Sequence, residues 1–183
     1  MDKASIRKQI KAKKASLSAE DKLREAELVL QSIEDMPCFQ KAKSVLMYYS
    51  LPDELPTHSF VQKWSTEKKV YLPRVVGDDL EIAIYGELAT EGKYGIEEPT
   101  TAPVSPEVVD LVIVPAVALD IHGNRLGRGK GYYDRLLPRC PQAYKIGVAL
   151  ECQLLEDLPV DPFDVPLDAV LTASTEIVIT PFS

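Results

Sequence analysis

The sequence predicts an α/β fold: a three-layer sandwich with a mostly parallel central sheet. Three observations carry this expectation. A helical pattern over residues 57–66 separates two strand-like runs, 44–49 and 69–72, and a right-handed crossover makes such runs parallel neighbours. Asp110 to Val114 is continuously apolar after its first residue, as a strand buried on both faces requires. A glycine-rich stretch, 123–131, then follows a strand-like segment and precedes a helical pattern, the position where open α/β sheets place their ligands.

The elements follow in order. Residues 3–17 carry Ile6, Ile10 and Leu17 among Lys and Arg, an amphipathic helix with a narrow apolar stripe. Ser18 with Asp21 three residues on is a capping signal for a second helix, in which Leu23, Ala26, Leu30 and Ile33 are expected to face the core and which Pro37 limits. Ser44 to Tyr49 is a buried strand, ending in the loop Ser50-Leu51-Pro52-Asp53-Glu54. The helix over 57–66 turns Phe60, Val61 and Trp64 inward. Lys69 to Leu72 is the next strand, closed by Pro73, and Leu80 to Tyr85 alternates as a further one. After the strand at 110–114, Pro115 stops the run and residues 116–120 lead into the glycine-rich loop. Tyr144 to Leu150 and Ala169 to Thr172 complete the strands.

A chain of 183 residues supports one domain, 1–183, with a substantial core. Its composition, 45% apolar and 27% charged, is that of a globular protein, and a net charge of −7 opposes nucleic acid and anionic membranes. The odd count of three cysteines, with no Cys-x-x-Cys pair, predicts reduced thiols in a cytoplasmic protein. No signal peptide is expected. The longest apolar run, Leu111 to Leu119, is interrupted by Pro115 and too short to span a bilayer.

Against that acidic background the segment 123–135 is anomalous. Glycines at 123, 127, 129 and 131 let successive N–H groups turn toward one centre, and Arg125, Arg128 and Lys130 surround it with cations. From Gly131 the pattern becomes helical, so a phosphate there would also meet a helix N-terminus. The common P-loop is excluded, because Asn124 stands where its first glycine belongs and Gly131 where Ser or Thr follows the lysine. The dinucleotide fingerprint fails on glycine spacing. Taken on the residues alone, a sugar-phosphate isomerase-like enzyme and a non-catalytic nucleotide or nucleic-acid binding module both stay open.

The string Arg-Leu-Gly-Arg-Gly-Lys-Gly-Tyr-Tyr-Asp-Arg at 125–135 resembles the signature of the 5-formyltetrahydrofolate cyclo-ligases, also called methenyltetrahydrofolate synthetases. The likeness extends through Lys3-x-x-x-Arg7, the loop ending in Glu54, the Gly-x-x-Gly-Ile-x-Glu-Pro segment at 92–99 and Glu151-Cys152-Gln153. It implies a fold similar to the sugar-phosphate isomerase and CoA-transferase families. It also implies ATP-driven cyclisation of 5-formyltetrahydrofolate to 5,10-methenyltetrahydrofolate, with Mg²⁺ as cofactor and a monomeric protein. By this resemblance Lys3, Arg7, Arg125, Leu126, Gly127, Arg128, Gly129, Lys130, Gly131, Tyr132 and Tyr133 bind the nucleotide. Tyr49, Glu54, Tyr94, Arg128 and Tyr132 bind the folate, Arg128, Lys130 and Tyr132 act in catalysis, and Asp134 and Asp164 hold the metal. Two departures stand out near these positions: Ala116 and Leu119 replace a common Gly and Phe, and Phe163 stands where a histidine is common.

Overall fold

A computed structural model describes residues 1–90 and 96–183. The chain opens with three helices, α1 (Lys3–Ala15), α2 (Ala19–Glu34) and α3 (Pro37–Lys41), followed by β1 (Ser44–Leu46), α4 (His58–Trp64), β2 (Lys69–Val76) and β3 (Asp79–Ile84). Short strands β4 (Leu88–Ala89), β5 (Glu98–Pro99) and β6 (Pro103–Val104) lead to β7 (Leu111–Val114). A hairpin of β8 (Ala118–Asp120) and β9 (Arg125–Leu126) precedes α5 (Tyr132–Leu136). Then come β10 (Tyr144–Val148), β11 (Leu154–Leu155), β12 (Ala169–Leu171) and β13 (Glu176–Val178).

The main sheet runs β13-β12-β10-β7-β1-β2-β3-β6, and its inner strands β12, β10, β7, β1 and β2 are parallel. Antiparallel β13, β3 and β6 flank them. Period-2 alternation sorts the side chains between two cores. Val45, Leu111, Ile113, Ile146 and Leu171 join Val29, Ile33, Phe39 and Phe60 on the side of α2–α4. Leu46, Val112, Val114 and Val170 join Leu136, Leu137 and Cys140 on the side of α5. The sandwich is therefore three layers deep. Each fully buried Ile, Leu or Phe contributes about 1.5–3 kcal/mol.

The capping box holds, with Asp21 N–H donating to the Ser18 hydroxyl and Ser18 N–H to the Asp21 carboxylate. Leu23, however, is 52% exposed. At about 100° per residue the buried stripe of Ala26, Val29, Leu30 and Ile33 is centred about 70° away from it, so Leu23 lies at the stripe's edge. Pro37 limits α2 by opening α3 at its first turn, where a missing N–H costs nothing.

Pro73 does not close its strand. Tyr85 N–H donates to the Val70 carbonyl, so alternate residues from 70 onward face β3 and Pro73 turns its nitrogen the other way. There β1 has already ended, and the proline leaves no ladder bond unmade. Edge strands β6 and β13 had no periodicity to reveal them. Trp64, the chain's single tryptophan, packs edge-on to Phe39 at 4.8 Å and donates its Nε1–H to Glu34. The described cysteines are unpaired thiols. No helix among the described residues is long and apolar enough to cross a membrane.

Candidate active site

The basic loop is built on a carboxylate that the motif does not contain. Asp120, fully buried at the end of β8, accepts from the backbone N–H of His122, Asn124 and Leu158 and from the Asn124 side-chain amide, all at 2.9–3.0 Å. Gly123 turns the hairpin at φ +88, and a Cβ there would meet the Leu167 carbonyl at 2.9 Å. The chain then re-enters as β9. Arg125 donates its Nε–H to the Pro115 carbonyl at 2.7 Å, and its guanidinium lies over the Tyr133 ring at 4.8 Å and directly beneath Gly127. Arg7 comes in from α1, donates to the Gly127 carbonyl at 2.8 Å and passes under Gly129, whose φ is +104. Two guanidiniums thus floor a glycine bend in which a side chain at Gly127 would crowd Arg125 and one at Gly129 would be strained by the positive φ. Arg128 and Lys130 point outward from it and are exposed. The helix after the bend has five residues, so the attraction for an anion rests on these cations and the loop amides more than on a macrodipole.

The facing wall is the loop after β1. Tyr48 donates its hydroxyl to the Leu55 carbonyl, and Ser50 and Thr57 exchange side-chain and backbone bonds, which ties 48–57 into a closed turn. Inside it the Glu54 carboxylate accepts from Leu51 N–H at 2.8 Å. Burial pushes the Glu54 carboxyl above its ordinary value, against the opposing pull of that N–H and of Arg128. Arg128 Nη2 lies 3.7 Å from Glu54 and 3.1 Å from Asp53. Tyr49 stacks face to face on His58, with ring centroids 3.6 Å apart. Burial likewise lowers the Arg125 guanidinium from its usual value and raises the Tyr133 phenol well above its own.

Between the walls lies a cavity of about 780 Å³. β1 leads rightward to β2, whereas β7 leads leftward to β10 and β12, so the strand order reverses between β1 and β7. The segments after β1 and β7 both line the cavity, which therefore opens at the sheet's switch point, beyond the carboxyl ends of parallel strands. Every residue the sequence reading assigned to ATP, folate or metal lines this one cavity, except Tyr94, which lies outside the described residues. Lys3 sits at one corner, in ion pairs with Asp161 and, at 3.2 Å, with Asp164, and these raise its ammonium above its usual value. Asp134, in the first turn of α5, lines the same space. Phe163, on the loop with Asp164, is 85% exposed at the rim.

Residues 1–173 match the 5-formyltetrahydrofolate cyclo-ligase family. The chain belongs to that family. It is 31% identical to the mouse 5-formyltetrahydrofolate cyclo-ligase over 92% of each chain. To the Escherichia coli K12 enzyme of the same name it is 38% identical, over 73% of this chain and 79% of that one. Among solved structures, the 5,10-methenyltetrahydrofolate synthetase of Aquifex aeolicus superposes with a TM-score of 0.89 at 36% identity, covering 100% of this chain and 95% of the other. That of Mycoplasma pneumoniae gives 0.78 at 27% identity, over 95% and 100%.

Beside the cyclo-ligase motif, three residues at the site escaped sequence reasoning. Asp120 was signalled by Asp-Ile-His-Gly-Asn, a side-chain-closed turn pattern. Glu98, buried on β5, lines the cavity and accepts from Val75 N–H at 2.6 Å, on the side of β2 that β1 has vacated. Lys14, buried at the end of α1, pairs with Asp53 at 2.9 Å. Nothing in a lysine-rich helix distinguishes that lysine from its neighbours.

Proposed function

We propose that this chain is a 5-formyltetrahydrofolate cyclo-ligase that uses ATP to close 5-formyltetrahydrofolate into 5,10-methenyltetrahydrofolate. The observation that carries the reading is the meeting of the cationic glycine bend and the Glu54 loop across one switch-point cavity, in a chain of this family. The N5-formyl group is an amide, a poor electrophile with no leaving group. Transfer of the γ-phosphoryl group to the formyl oxygen makes that oxygen part of a phosphate leaving group and the carbon iminium-like. N10 then attacks the carbon, loses its proton, and phosphate departs. Phosphoryl transfer is mainly positioning and charge stabilisation, which suits a site of cations and backbone donors with no obvious nucleophile.

In this reading Lys3, Arg7, Arg125 and Lys130, with Leu126 and the amides of Gly127, Gly129 and Gly131, hold the polyphosphate. Arg128 lies between nucleotide and folate, and Tyr132 and Tyr133 wall the junction. Glu54 accepts paired N–H donors of the pterin, beside Tyr49. Tyr94 would join the folate wall.

No three or more His, Cys, Asp or Glu side chains converge as metal ligands among the described residues. Asp134 and Asp164 nevertheless present hard oxygen donors to the cavity that would take the phosphates, and Mg²⁺ is commonly held by one or two carboxylates with phosphate oxygens and water. The residues fit that role. When bound, the ion would neutralise phosphate charge, and Lys3 would have to share Asp164 with it. A cytoplasmic monomer is the accompanying proposal.

Incubation with 5-formyltetrahydrofolate and MgATP tests the reading: the methenyl chromophore and ADP should appear together in equal amounts. Failure of both, with folded protein, removes it. ATP binding without turnover would select a nucleotide-binding module instead, and turnover of a sugar phosphate without ATP would select the isomerase-like alternative.

A further inference from the structure

We infer that Lys14 and Asp53 form a positioning pair that holds Arg128 over the cavity and keeps its positive charge available to an anionic ligand. The inference rests on the cyclo-ligase reading for the identity of that ligand, MgATP. Its geometry is independent of the reading.

Lys3, Arg7 and Lys14 are spaced four and seven residues apart on α1, a spacing that stacks them along one helix face. The first two reach the cavity directly. Lys14 does not line it and is 7% exposed. A lysine is rarely buried without a paired charge, and the partner here is Asp53, with Nζ 2.9 Å from Oδ2. The other oxygen of the same carboxylate lies 3.1 Å from Arg128 Nη2. Asp53 thus bridges a buried cation to a half-exposed one. Its loop is tied from a second helix as well, since Lys22 of α2 donates to the Pro52 carbonyl at 3.1 Å.

Arg128 needs such a fixture. It sits between Gly127 and Gly129, its guanidinium is half exposed, and it pairs with the carboxylates of Asp53 and Glu54. A free arginine samples many rotamers, and ordering it costs conformational entropy. Two carboxylates on one guanidinium would fix it, but would leave net negative charge at the mouth of a cavity meant for phosphates. Lys14, behind Asp53, offsets that excess without occupying the cavity. The arrangement fixes Arg128 while keeping the local charge balanced, so an incoming phosphate does not meet net repulsion.

The alternative is that Lys14 merely fastens α1 to the loop. Lys14→Met, Lys14→Arg and the unsubstituted protein separate the two. In ligand-free protein, the side-chain ¹⁵N signals of Arg128 report restricted guanidinium motion. Lys14→Met should release that restriction and raise KM for MgATP by about tenfold, with kcat within about twofold, and Lys14→Arg should restore both. A lowered thermal midpoint with Arg128 signals and KM unchanged would overturn the inference. Should Lys14→Met fail to fold, Asp53→Asn removes the bridge from the other side, and the same two readouts apply. Absence of turnover in the unsubstituted protein would remove the cyclo-ligase reading alone, because the ligand-free Arg128 signals still decide whether the pair positions it.

Discussion

Lys130 is the cation of the bend that the protein itself leaves uncommitted: it is exposed and makes no ion pair among the described residues, whereas Arg7, Arg125 and Arg128 are each engaged. A side chain unbound at rest can move onto a phosphoryl group without breaking anything first. Lys130→Ala should therefore lower kcat by about a hundredfold or more while far-ultraviolet circular dichroism and the thermal midpoint stay unchanged. Glu54 behaves oppositely. Burial raises its carboxyl, so its contribution to stability is fully present below the ordinary value near 4.5 and is lost as pH rises through the raised one. Glu54→Gln should raise the thermal midpoint at pH 7, lose that advantage near pH 4, and weaken folate binding, as melting curves and folate KM will show. An unchanged midpoint at pH 7 would contradict the desolvation argument. Lys130 was legible in the sequence because it stands in a short string of unusual composition, and Glu54 only through the family resemblance. Lys14, Asp53 and Glu98 were not, since their roles arise from contacts across 39, 75 and 23 residues of separation respectively.

At the level of elements, the sequence marked strands where apolar runs were continuous and helices where capping and period agreed, as with Ser18 and Asp21. It misplaced the end of β2, because whether a proline stops a strand depends on which neighbour its nitrogen faces, and that is a property of the sheet. The two-residue strands β6, β9 and β11 are too short to carry a period at all. The β8–β9 hairpin shows what such an element is for. Asp120 divides its carboxylate between the turn that aims Arg125 into the cavity and the Leu158 amide of a distant loop. Asp120→Ala should leave buried amides unsatisfied and cost about 2–4 kcal/mol in chemical denaturation. Activity should fall with it, since Arg125 and Leu126 follow directly from that turn. A stable variant with full activity would show the hairpin closes without its carboxylate.

For the molecule as a whole, the central feature is charge segregation. A chain of net charge −7 gathers Lys3, Arg7, Arg125, Arg128 and Lys130 at one cavity, whose lining also holds Glu54, Asp134 and Asp164. Such a local field attracts a small polyanion over a short range while the remaining surface repels extended ones. KM for MgATP should rise several-fold between about 50 and 500 mM NaCl, with KM for the folate changing less. Equal salt sensitivity for both would place the attraction elsewhere. The three-layer architecture was readable because parallel strands and their crossover helix leave a strong pattern. Where the sheet reverses direction was not, although that reversal locates the cavity. The indole of Trp64 lies among the helices on one side of this sheet, edge-on to Phe39, and does not border the cavity. In ligand-free protein its fluorescence therefore tracks unfolding of the helical layer. One optical signal can then tell, for any variant above, whether a weakened enzyme has lost its scaffold or only its grip on ligand.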